Sequence, residues 1–261
     1  RDHEARHEMS DRGCVTREDI FKELDLWPVW RLRSAQPAAS LIADEAGIAA
    51  DAQRDAAAAK APPLNHEPVA PTTWDALREA VNTCTRCKLH LTRTQGVLGV
   101  GDPQADWLIV GEAPGADEDA QGEPFVGQAG RLLDAMLAAI ALKRGDNVYI
   151  ANVLKSRPPG NRNPEPDEVA ACMPYLLQQI ELLQPKIILA LGRFAAQSLL
   201  NTKNSIASLR GQVHQFQGVP VIVSYHPAYL LRTLTDKARA WEDLCLARQT
   251  FQSLSTNLAH P

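Results

Sequence analysis

The order of apolar and polar positions changes character near residue 74. Before it, the segment from Ser34 to Thr73 carries the runs AADAQRDAAAAKAPP and EPVAPTT. Alanine favours helix, but the prolines and the lack of an apolar stripe predict a tether. Still earlier, IFKELDLWPVWRL (20–32) holds two tryptophans and predicts a short helix that docks on the main domain or on a partner. From Trp74 onward short apolar runs alternate with helix-spaced segments. Trp107–Val110 is a strand-like run ending in a glycine turn, and 130–142 (GRLLDAMLAAIAL) has helical spacing. Val148–Asn152 reads as a second strand. The stretch 166–183 reads as a helix that Pro174 should bend or split. A third strand ends at Gly192, a helix covers 193–200, a fourth strand covers 219–224, and a closing helix covers 237–254. Strands alternating with helices predict a parallel sheet covered on both faces.

The polar signals fall at one end of those strands. Gly111 and Glu112 follow the first, Asn152 ends the second, Gly192 follows the third and His226 follows the fourth. In an open α/β sheet ligands bind at the carboxyl ends of the strands, so an active cleft is expected there. Within GEAPGADEDAQGEPFVGQAG (111–130), glycines let backbone approach a ligand and the acids can orient water. Phe125, in a Gly/Pro-rich loop, suits stacking on a base or simply anchors the loop. In VYIANVLKSRPPGNRNP (148–164), the Asn152 amide offers both a donor and an acceptor to one planar ligand, a match to the O4 and N3–H of uracil. In SYHPAYLLR (224–232), His226 is placed to donate to a developing oxyanion, and Leu230 or Leu231 to wedge into a duplex. Taken alone, a loop histidine is usually structural.

Charge constrains the partner less than these motifs do. The net charge is −4. Residues 1–75 hold 9 Lys/Arg against 14 Asp/Glu, and the rest holds 18 against 17. Neither part has the basic excess of a DNA binder driven by bulk electrostatics. Contact with DNA must then be local, with Lys155, Arg157 and Arg162 as the best basic cluster, unless those charges are merely solvated. No run approaches the ~20 apolar residues of a membrane span, and the N-terminus has no signal-peptide core. A cytoplasmic protein, with reduced cysteines, is expected. Cys84 and Cys87 form a CxxC, and Cys172 follows 85 residues after Cys87. No strand directly precedes the pair, which speaks against a thioredoxin-type site. Zinc held by Cys84, Cys87, His90 and Cys172 is one metal reading.

GEAPG, EPFVGQAG, the VYIANVLK and RPPGNRNP block, CMPYL, LALG and YHPAYLLR together resemble the family-4 uracil-DNA glycosylases over about residues 80–245. The resemblance implies a three-layer αβα sandwich around a four-stranded parallel sheet. The glycosylase domain would cover residues 76–261, behind an extension (1–33) and a tether (34–75). It implies a monofunctional enzyme, a monomer, that hydrolyses the bond between uracil and its sugar in single- or double-stranded DNA. The alternative is a weak or inactive lesion-binding module of the same build, with the N-terminal extension free to bind an unknown partner. By the resemblance Glu112, with Gly111, Ala113, Gly115 and Glu118, lines the pocket. Phe125 stacks on uracil, Asn152 reads its edge, and His226 steadies charge on O2. Lys155, Arg157, Arg162, Leu230, Leu231 and Arg232 would meet the DNA. Ala113 stands where family-1 enzymes place an aspartate, so Glu112 or Asn152 would position the water. An iron–sulfur cluster on Cys84, Cys87 and Cys172 is implied, a 4Fe-4S centre with a structural role. The family cysteine at the fourth position is here Ser156, a harder and weaker ligand. A covalent-capture branch of the superfamily carries a basic, histidine-containing insertion after the second strand motif, which RPPGNRNPEPDEV lacks.

Overall fold

The computed structural model describes residues 73–257. The expectations for 1–33 and for most of 34–75 lie outside the described residues. Helix α1, Trp74–Asn82, is capped by the Thr73 side chain, which accepts from the Ala76 N–H. This helix therefore starts two residues before residue 76.

Six strands form one sheet: β1 (Val100–Gly101), β2 (Trp107–Gly111), β3 (Val148–Asn152), β4 (Ile187–Leu191), β5 (Val213–Phe216) and β6 (Val219–Ser224). Their order is β1-β3-β2-β4-β6-β5. The four expected strands pair in parallel at the centre, and β1 and β5 add antiparallel edges. These edges escaped the sequence reading because β1 is only two residues long and β5 (VHQF) alternates exposed and half-buried positions. Strands β2, β3 and β4 are buried along their whole length, as parallel strands covered on both faces must be.

Alternate strand residues sort to the two faces. Leu108, Val110, Tyr149, Ala151, Ile188, Ala190, Val221 and Val223 join one core. It is closed by α4 (Pro166–Leu183) and α5 (Arg193–Leu200). Trp107, Ile109, Val148, Ile150, Ile187, Leu189 and Ile222 face the other core, closed by α3 (Gln128–Ala139) and α8 (Lys237–Asn257). Each fully buried aliphatic side chain in such a core is worth ~1.5–3 kcal/mol, so the layers hold the strand ends in place. Among the described residues the fold also has three short α-helices, α2 (Ala116–Gln121), α6 (Ile206–Leu209) and α7 (Pro227–Leu230), and three single turns of 3-10 helix. Pro174 does not split α4, which runs unbroken for 18 residues. The proline is itself buried, and burial on both sides of it keeps the helix continuous despite the missing N–H.

Register carries the sheet into the site. Gly111 is paired with Asn152, and Leu191 with Ser224. The loops after β2, β3, β4 and β6 therefore leave one edge of the sheet at nearly one level.

Candidate active site at the strand ends

A cleft of about 720 Å³ opens at that edge, lined among others by Glu112, Phe125, Asn152, Arg193, Tyr225 and His226. Ala113, Gly115, Glu118, Arg162 and Arg232 also reach it. Gly111 sits just behind the wall. A Cβ there would lie 2.3 Å from Asn152 Oδ1 and 2.5 Å from the Phe125 ring, so only glycine lets these two groups close over the strand end.

Asn152 is 2% exposed, and among the described residues its Oδ1 has no hydrogen-bond partner. A buried polar atom left unsatisfied costs ~1–3 kcal/mol, and such an atom in a cleft wall marks a place for a ligand donor. The backbone behind it is held firmly. The Val153 N–H donates to Gly111 O (3.0 Å), and Lys155 Nζ donates to Asn152 O (2.6 Å).

His226 opens α7 as its N-cap, and its Nδ1 accepts from the Ala228 N–H at 3.2 Å. That bond leaves the ring proton on Nε2, aimed away from the helix. Burial, with help from Arg232, pulls the imidazole down to about 4, so it is a neutral donor near pH 7. The Phe125 ring stacks beside it, centroids 5.4 Å apart at 27°.

Phe125 is buried with φ 56°, a left-handed conformation that a phenylalanine rarely takes. Such strain costs ~1–3 kcal/mol and persists only where surroundings impose it. Three observations account for it. Arg144 donates to Pro124 O (3.0 Å) and Phe125 O (2.9 Å). Glu118 accepts from the Gly115, Val126 and Gly127 N–H groups. Gly130 leaves room for Phe125 O, which a Cβ there would meet at 1.8 Å. Glu118 thus acts mainly as a brace on the loop that presents the ring.

Glu112 lines the cleft half-buried. Burial pushes its carboxyl up to about 7, against a partly offsetting Arg193 charge. A carboxyl poised near neutrality can hold or deprotonate water. Sequence reading passed over Arg193 although it follows Gly192 at a strand end, the positional signal that found the other site residues. It is exposed at the rim of the cleft.

Two expected DNA contacts are corrected. Lys155 is 1% exposed, with its Nζ bonded to Asn152 O and Gln179 Oε1, so it faces the core rather than solvent. Leu230 is 1% exposed, packed in the second core through α7. Leu231, next to it, is 39% exposed. Arg162 reaches the cleft, but its guanidinium is paired with the fully buried Glu168 and with Glu165. Arg157 hydrogen-bonds Asn161 Oδ1 at 2.8 Å within the same loop.

The cysteines gather at a separate corner. Cys87 packs beside Cys172, and this neighbour lowers Cys87 to about 6 while Cys87 and burial raise Cys172. The Lys155 N–H donates to Cys172 Sγ at 3.4 Å, and Cys84 packs against the cluster that holds Tyr175. Ser156 is buried, and its Oγ accepts from Arg93 Nη1 at 2.8 Å. Arg93 also donates to Asn82 O and Cys84 O. Among the described residues no three His, Cys, Asp or Glu side chains stand close enough to hold one metal ion. Of the zinc alternative Cys84, Cys87, His90 and Cys172, the histidine is engaged locally, its Nδ1 lying 2.6 Å from Cys87 O.

A family model for the Uracil DNA glycosylase superfamily matches residues 98–245. The chain is 50% identical over 165 residues to a type-4 uracil-DNA glycosylase of Archaeoglobus fulgidus, covering 60% of this chain and 82% of that one. It is 43% identical over 178 residues to the Pyrobaculum aerophilum type-4 enzyme, covering 65% of this chain and 90% of the relative. With the Thermotoga maritima type-4 enzyme it shares 45% over 167 residues, 63% of this chain and 86% of the other. The matched span contains β2 to β6 and every loop that lines the cleft. On its fold, its strand-end site and these likenesses, the chain belongs to the uracil-DNA glycosylase superfamily and stands with the type-4 enzymes.

Proposed function

We propose that this protein excises uracil from DNA by hydrolysing its N-glycosidic bond, with the strand-end cleft as the active site. The carrying observation is Asn152 Oδ1, a buried acceptor without a partner in the cleft wall. The N3–H of an extruded uracil satisfies it, while the amide N–H of the same side chain serves O4. Cytosine presents the reverse pattern at these two atoms and would leave Oδ1 facing an acceptor, a mismatch costly in a dry site.

The remaining groups follow from their geometry. The Phe125 ring, held by Arg144 and Glu118, stacks on the flipped base. As the glycosidic bond stretches, negative charge gathers on uracil O2, and the neutral His226 donates its Nε2–H to it. One preorganised donor of this kind is worth roughly 3–4 kcal/mol. Glu112, as a carboxylate, holds the water that captures the oxocarbenium-like sugar. Arg193 and Arg232 at the rim, Arg157 in its loop, and exposed Leu231 contact the DNA.

For the iron–sulfur cluster implied by the type-4 resemblance, the donor chemistry fits at three corners. Cys84, Cys87 and Cys172 would hold it, Cys87 being packed against Cys172 and Cys84 against the neighbouring cluster that holds Tyr175 of α4. The fourth corner is Ser156, whose oxygen is engaged by Arg93. The group would supply a cross-link between the start of the domain and α4, and no step of the hydrolysis passes through it.

The test is release of uracil from single-stranded and duplex oligonucleotides, beside matched thymine and cytosine substrates. Release from uracil substrates only is the expected result. Retained binding without release would leave a lesion-binding module in place of an enzyme.

A further inference from the structure

We infer that Lys155 is a positioning residue for the uracil-reading amide, acting through the backbone of Asn152 and resting on the assignment of Asn152 to the base edge. The peptide group between Asn152 and Val153 is pinned at both ends. Its N–H donates to Gly111 O across the β2–β3 pair at 3.0 Å, and its carbonyl accepts from Lys155 Nζ at 2.6 Å. The register with β1 ends at Ile150, and on that side the Val97 N–H bonds Lys155 O at 2.8 Å, past Asn152.

The lysine is held as tightly as the peptide it grips. It is 1% exposed, and its Nζ also meets Gln179 Oε1. Gln179, itself fully buried in the C-terminal part of α4, passes the constraint on. Its Nε2 donates to Leu98 O (2.9 Å) and to the Tyr149 hydroxyl (3.3 Å). A lysine buried in this way is expensive unless its donors are used, and a hydrophobic residue would fill the same space without that cost. What a hydrophobe lacks is a donor that reaches the Asn152 carbonyl three residues back. The Lys155 backbone contributes at the other end, since its N–H donates to Cys172 Sγ. The residue therefore ties the cysteine corner to the strand end that presents Asn152.

The arrangement predicts coupling between the two side chains. With the Asn152 amide present, Lys155→Met frees its carbonyl and lets the amide drift from the base edge. A misplacement near 1 Å costs up to about a hundredfold, so a ten- to hundredfold fall in single-turnover excision is expected, with DNA affinity retained. In an Asn152→Ala background there is no amide left to aim, and Lys155→Met should then change the rate less than about twofold, the signature of residues acting as one unit. A merely structural role lowers the folded fraction and reduces the rate by the same factor in both backgrounds, and that result overturns the inference. Should Lys155→Met fail to fold, Gln179→Met removes the second anchor of the ammonium. It should give a smaller loss that likewise vanishes in Asn152→Ala, and a loss persisting there overturns the inference. If Asn152→Ala alone excises uracil normally, the base-edge assignment falls and this inference with it. An impaired Asn152→Ala with equal Lys155→Met factors overturns the positioning role alone.

Discussion

The strand-end cleft and the cysteine corner are built on opposite plans. The cleft takes its groups from residues that end or follow buried parallel strands, and it leaves Asn152 Oδ1 unsatisfied while turning the His226 proton outward. The cysteine corner draws on a turn, the loop after β3 and the middle of α4, and its groups already have partners within the protein: Cys172 with the Lys155 N–H and Ser156 with Arg93. A site meant to receive a ligand in a fixed orientation is aimed in advance by rigid elements. A corner that only joins parts of the scaffold can exchange one set of bonds for another. The contrast predicts that substitutions in the cleft change chemistry with little effect on folding, and that substitutions in the corner do the reverse.

The largest effect should come from His226. Removing the donor with His226→Ala should raise the barrier by roughly 2–4 kcal/mol, a rate loss of about 30- to 1000-fold in the chemical step. Single-turnover kinetics with DNA affinity measured in parallel will show it. A variant that binds poorly but cleaves bound substrate at the normal rate would remove His226 from the chemistry. Asn152→Ala should follow, with at least about a tenfold loss of excision and unchanged melting temperature; normal excision would take Asn152 out of the site.

The pH dependence sharpens the same side of the comparison. Burial raises the Glu112 carboxyl to about 7, so the ionised form is lost as pH falls through that value. Excision should therefore decline below pH 7, approaching tenfold per unit. Glu112→Gln should lower the plateau and flatten the profile. His226, pulled down to about 4, stays neutral across pH 5–8 and adds no limb of its own there. A profile that is flat down to pH 5 in the unaltered protein would show that Glu112 does not act as a carboxylate.

The smallest catalytic effect belongs to the corner. Ser156→Cys supplies a fourth thiolate and releases Arg93. Iron content and visible absorption after anaerobic purification should rise, along with melting temperature, while excision changes less than about twofold. If iron content and melting temperature are both unaltered, Ser156 is not what limits the cluster. A large change in excision would show that the two regions are coupled more strongly than their separate construction implies.

The sequence alone determined the four parallel strands, the helices between them and the edge at which the site opens. Long apolar runs bounded by glycine and the helical spacing of 130–142 and 166–183 are local signals, and burial of both sheet faces makes them strong. The positions of Glu112, Asn152 and His226 were legible for the same reason, since a polar residue directly after a buried strand has one place to go. Only the tertiary structure decided which neighbours of those residues face the cleft and which face the core. Lys155 and Leu230 both sit in polar, proline-marked loops that read as surface. Yet the first turns inward to the Asn152 carbonyl and Gln179, and the second packs into the core through α7. Likewise the left-handed Phe125 backbone depends on Arg144, 19 residues further along the chain, and the Ser156 hydroxyl on Arg93, 63 residues earlier. A hydrophobic pattern encodes which side of an element is buried. It carries no record of which distant donor will reach a given carbonyl or hydroxyl, because that is settled only when the layers close on one another.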